Sequence, residues 1–88
     1  MNYSSMLSSL KIDLGITTTA YDARLTEYLK RAEGEIWREG ITLTTDIDDQ
    51  NLVIFYAEWL WRKRDTGEGI PRMLRWQLNN RLFGANNG

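Results

Sequence analysis

The 88-residue sequence predicts an all-α fold, a compact bundle of about four helices with a short extended connector between the second and third. Three observations carry that expectation. Apolar residues recur at helical spacing: Tyr21, Leu25, Tyr28, Leu29, Ala32 and Ile36 fall within about 100° of a helical wheel. Glycine stands where each periodic stretch runs out, at Gly15, Gly40, Gly67 and Gly84, and the single proline, Pro71, suits the first position of the last one. No alternating run is convincing as a strand.

The first helix spans about Tyr3 to Leu14, with Leu7, Leu10 and Leu14 as its stripe. Thr19 and Asp22 then resemble a capping box, although Asp is shorter than the usual Glu. The second helix runs from about Ala20 to Glu39, with Arg24, Glu27, Lys30, Arg31, Gly34 and Arg38 opposite the apolar face. Glu27–Arg31 and Arg31–Glu35 are spaced as i,i+4 ion pairs. Gly34 costs about 1 kcal/mol relative to alanine in mid-helix; it is either simply tolerated or marks the close approach of a neighbouring backbone. Ile41 and Leu43 alternate with threonine and plug the core or form a short edge. Thr45 or Asp46 caps the third helix, and Asp46, Asp48 and Asp49 complement its positive end. The fourth helix runs from Pro71 through Leu82, so residues 1–84 read as one domain and 85–88 as a frayed tail.

A chain of this length buries only about 60–65% of its unfolded surface, and oligomerising is a common way to gain more. There is no cysteine and no histidine. That removes disulfides, thiolate chemistry, and the commonest general base and metal ligand, so no cofactor, metal or catalytic residue is expected. No apolar run approaches the roughly 18 residues of a membrane span, and no signal peptide is visible. The net charge of −1 hides a division. Residues 1–60 carry 5 basic and 10 acidic groups, whereas residues 61–88 carry 6 basic and 2 acidic. Opposite ends of opposite sign suit head-to-tail stacking or a charged partner.

Large side chains crowd residues 59–76, which hold three of the four tryptophans and five of the eleven basic residues. Between Leu52 and Trp61 only Glu58 is polar, so the third helix is apolar all round. One face carries Leu52, Phe55, Tyr56, Trp59 and Leu60; the other carries Ile54, Ala57 and Trp61. Either the remaining helices enclose it completely, or the Ile54–Ala57–Trp61 stripe is a subunit interface, with Arg64 and Gly34 as further candidates. The interface is the expectation adopted. Arg62, Lys63 and Arg64 complement the negative end of this helix.

Other chemical readings are weaker. Asp46-x-Asp48-Asp49 lacks the glycine and distal glutamate of a calcium loop. Gly67-Glu68-Gly69 lacks the Gly-Lys-Ser/Thr of a phosphate loop. Helices three and four across a glycine turn superficially suggest a helix-turn-helix, with Arg72, Arg75 and Arg81 meeting phosphates or another partner.

The segments Tyr21-Asp22-x-x-Leu25-x-x-Tyr28-Leu29-x-x-Ala32-x-x-x-Ile36, Asp49-x-x-Leu52-Val53-x-x-Tyr56-Ala57-x-Trp59-Leu60, Arg62-Lys63-Arg64 and Pro71-Arg72-Met73-Leu74-Arg75-Trp76 occur in an order with a known counterpart. Over about residues 7–83 the chain resembles the small head–tail connector, or head-completion, proteins of tailed bacteriophages and prophages. The resemblance implies a mainly helical, non-catalytic structural subunit. It implies a ring of copies under the portal protein of a DNA-filled head, a neck or tail-completion protein below, and DNA passing through the lumen without sequence-specific contact. It places the chain at the head–tail junction of the virion, in the host cytoplasm during assembly, with no membrane. The rivals are a small helical DNA-binding regulator using the arginine-rich fourth helix, and an adaptor or toxin–antitoxin partner.

Overall fold

The computed structural model describes residues 1–87 and has the expected all-α architecture. Four helices follow in order: α1 (Tyr3–Leu14), α2 (Asp22–Arg38), α3 (Ile47–Thr66) and α4 (Arg72–Asn87). Helix α3 packs against each of the other three, most extensively against α2. The apolar sequence of α3 follows from this position. Leu52, Val53, Ile54, Tyr56, Ala57 and Leu60 are all buried, so its apolar residues are covered from several sides. From the neighbours come Met6 and Leu10 of α1, Leu25, Tyr28, Leu29, Ala32 and Ile36 of α2, and Leu74 and Leu78 of α4.

The helix ends show which local signals governed the chain. Asn2 caps α1 by accepting from the Ser5 amide at 3.1 Å. Gly15 takes a left-handed conformation at φ 72°, with the Ile16 amide donating back to the Lys11 carbonyl at 2.9 Å. That wrapped ending needs a residue without a Cβ penalty. Gly67 closes α3 in the same left-handed conformation at φ 66°, its own amide donating to the Lys63 carbonyl at 2.8 Å. Gly84 does not close α4, which continues to Asn87 and so beyond the Leu82 end expected for it; Gly88 lies outside the described residues. Gly84 has no left-handed backbone, and a helix passes through a glycine for about 1 kcal/mol when nothing turns the chain.

Three expected local contacts are replaced by others. No Thr19 cap forms: α2 begins at Asp22, and Thr18 Oγ1 instead accepts from the Ala20 amide at 2.8 Å. Glu27 and Glu35 pair with Arg24 and Arg38, both at i,i+3, rather than with Arg31. Arg31 leans over the Tyr28 ring at 5.1 Å. The connector forms no strand among the described residues: Ile41 is buried and Leu43 packs beside it, so the segment plugs the core.

Candidate functional site

Ile54 and Ala57 are not available as an interface, because the chain itself covers them to 6% and 0% exposure. The surrounding helices close over the second stripe of α3, so the enclosed alternative holds at these two positions. Trp61 is half-buried and meets Tyr21 and Tyr28 of α2 edge-on, with centroids 5.8 and 5.4 Å away. The Arg64 guanidinium lies 3.8 Å over the indole. Arg24 and Arg31 flank Tyr28 at 5.5 and 5.1 Å. Each aromatic pair of this kind contributes about 0.5–1.5 kcal/mol, and each partly exposed cation–ring contact about 0.5–1. Trp61 and Arg64 thus clamp α3 to α2 and carry the edge of that clamp at the surface.

Trp59 is spent within the chain as well. Its indole N–H donates to the Glu68 carbonyl at 3.1 Å, and Lys63 sits 4.4 Å over its ring. This pins the turn between α3 and α4. Gly34 faces open space: a Cβ there would meet nothing within 4 Å. Nothing inside the subunit requires glycine at this position, and exposed Trp37 stands one turn further along α2.

The three arginines of α4 part company. Arg75 makes a forked contact with Glu39 at 2.6 and 3.3 Å. Arg81 donates to both oxygens of Asp49 at 2.8 and 3.1 Å and to the Thr42 carbonyl at 2.8 Å. Neither is free for a phosphate. Arg72 is exposed and makes no ion pair among the described residues.

Asp49 does more than complement the positive end of α3. It is 4% exposed, and it also accepts from the Thr44 amide at 2.7 Å and the Thr44 hydroxyl at 2.9 Å. The start of α3, the connector and α4 therefore meet at one carboxylate. The Arg81 guanidinium and the Thr44 donors hold its pKa below the usual carboxylate range. Asp46, by contrast, is the N-cap residue but makes no side-chain capping bond.

Glu58 behaves oppositely. Burial, followed by the hydrogen bond and charge of Asp13, pushes its carboxyl up to about 8 from the usual 4.5, despite Arg62 at 3.8 Å. A raised carboxyl beside a second one is the pattern of an acid–base site. Here, however, the shallow notch of about 380 Å³ nearby is lined by Asp13, Trp61, Arg62 and Asp65 but not by Glu58. The contact between Glu58 and Asp13 ties α3 to the C-terminal end of α1.

The pH dependence of stability follows from these two groups. Glu58 holds its proton in the folded chain and releases it in the unfolded one between pH 4.5 and about 8. Its contribution is complete below pH 4.5 and is lost as pH rises through 8. Asp49 has the depressed value, so its contribution is present above the usual carboxylate range and is lost as pH falls through its folded value. Thermal melts should therefore peak on the mildly acidic side and decline toward pH 8.5. Glu58→Gln, which can still donate to Asp13, should flatten the alkaline decline. A melting temperature unchanged between pH 5 and 8.5 in the parent chain would contradict the raised value of Glu58.

Besides Trp37 on α2, a tryptophan and a methionine left over from the core lie on α4. Met73, Trp76 and Phe83 are 58%, 61% and 62% exposed. An apolar notch of about 420 Å³ opens among Arg72, Met73 and Trp76. Trp76 also borders a polar groove of about 530 Å³ that includes Asn51, Gln77, Asn80 and the Asp49–Arg81 pair. No group of three or more metal-ligating side chains is present among the described residues, and no helix is long and apolar enough to cross a membrane. Compared with protein-family models, curated proteins and solved structures, the chain matches none.

Proposed function

We propose that the chain is a structural subunit of a phage or prophage head–tail connector, forming a ring between the portal and the next neck or tail-completion protein. The sequence segments quoted above suggest the family. The observation that supports the reading is the distribution of large side chains left over from the core. Ile12 on α1, Trp37 on α2, Ile47 on α3 and Trp76 on α4 are all exposed, so each helix offers apolar surface. A closed ring joins two different faces of each subunit, and a small chain with several sticky faces suits that demand. With Ile54 and Ala57 enclosed, the outer face of α2 around Gly34 and Trp37 is the better subunit contact. The acidic first two-thirds and basic last third of the chain give neighbours complementary charge. DNA passes through such a ring without being read, in keeping with an α4 whose Arg75 and Arg81 are committed to Glu39 and Asp49.

Gly34→Arg tests this reading. Open space at the Cβ and the better helix propensity of arginine predict an unaltered circular dichroism spectrum and a melting temperature no lower than that of the wild type. The wild-type chain should bind isolated portal rings and restore joining of heads to tails, and the variant should do neither. Normal joining by Gly34→Arg would remove the α2 contact. Tight duplex binding by the wild-type chain with a steep salt dependence would favour the regulator instead.

A further inference from the structure

The outer face of α4 has a pattern that its inner face does not explain. Leu74 and Leu78 are buried, with Leu82 beside them, and these three face the core. On the opposite side lie Met73, Trp76, Asn80 and Phe83, all exposed. Their spacing is three, four, three, which is the seam of a coiled coil. The seam is also palindromic about the level of Leu78: Met73 mirrors Phe83, and Trp76 mirrors Asn80.

We propose that the free chain pairs with a second copy of itself through this seam, α4 against α4 and antiparallel. A two-fold contact requires that each residue meet its mirror partner, which the spacing provides. Phe83 of one copy then enters the apolar notch among Arg72, Met73 and Trp76 of the other. The guanidinium of Arg72 covers the incoming ring.

Charge selects the orientation. Helix α4 has three arginines and no acidic residue. A parallel pair would set Arg72 beside Arg72. The antiparallel pair separates them by about 18 Å, beyond the Debye length of about 8 Å, and brings each toward the negative end of the opposite helix. Arg75 and Arg81 are neutralised within their own subunit.

The area sets the strength. The three large side chains and their flanks offer about 600 Å² per copy, at the lower limit of what stable pairs bury, so dissociation in the micromolar range is expected. This pairing closes on itself and does not rest on the connector reading.

Sedimentation equilibrium from micromolar to near-millimolar protein should show a monomer–dimer equilibrium. Trp76→Ala should weaken it by about thirtyfold or more, with helicity and melting temperature unchanged because the side chain is largely exposed. The chain has no cysteine, so cross-linking has no background. A mixture of Met73→Cys and Phe83→Cys chains should form a disulfide between copies. Met73→Cys alone should not, since its two sulfurs would be about 15 Å apart. A wild-type chain that stays monomeric, an assembly larger than a dimer, a dimer indifferent to Trp76→Ala, or ready cross-linking of Met73→Cys with itself would each overturn the proposal.

Discussion

Arg81→Met should lower the unfolding free energy by about 3 kcal/mol and the melting temperature by roughly 15 °C. Asp49 would remain buried, with Thr44 as its sole remaining partner among the contacts it makes now. Removing one member of a buried pair is costly because the other keeps its charge without a counter-ion. The double variant Asp49→Leu/Arg81→Met should recover much of the loss. Urea unfolding of the two variants measures the comparison. A single variant within about 0.5 kcal/mol of wild type would mean that water already screens the pair.

Ile54→Ala should cost about 2–4 kcal/mol in the same experiment, the usual range for truncating a large buried aliphatic side chain. Ile54 has the core around it and little solvent to relax into. On a surface stripe the same change would alter stability by no more than about 0.5 kcal/mol. The measurement therefore separates enclosure of α3 from an exposed apolar stripe. Trp61→Ala would not separate them, because Trp61 both packs on Tyr21 and Tyr28 and reaches the surface.

The number of helices and most of their ends were legible because they depend on near neighbours. Gly15 and Gly67 stop helices through their own backbone conformation, and the Leu25-to-Ile36 stripe shows its buried face by spacing alone. The enclosure of α3 was undecided in the sequence because periodicity reports which side chains are apolar, not how many neighbours arrive to cover them. Arg75 and Arg81 look like partner-seeking cations for a similar reason. Their carboxylates, Glu39 and Asp49, lie 36 and 32 positions away, and no local pattern links them. One usable signal existed at Asp49. It is the third helical residue after Asp46, a position from which a carboxylate often reaches back to the preceding backbone, and here it reaches the Thr44 amide. For the tryptophans the sequence showed only that large side chains crowd residues 59–76; the structure then divided them, with Trp59 and Trp61 packed within the chain and Trp76 exposed opposite the leucines of α4.

The two arginine pairs also act together as an alignment device. A leucine stripe is nearly the same after a shift of one helical turn, about 5.4 Å, so Leu74, Leu78 and Leu82 alone would let α4 slide along its bed. Arg75 and Arg81 are six residues apart, about 9 Å along the axis, and each has its own carboxylate on a different part of the scaffold. A one-turn slip would unseat both at once and leave buried Asp49 without its counter-ion. Apolar contact keeps α4 on the bundle, and the paired charges index where along the bundle it stops.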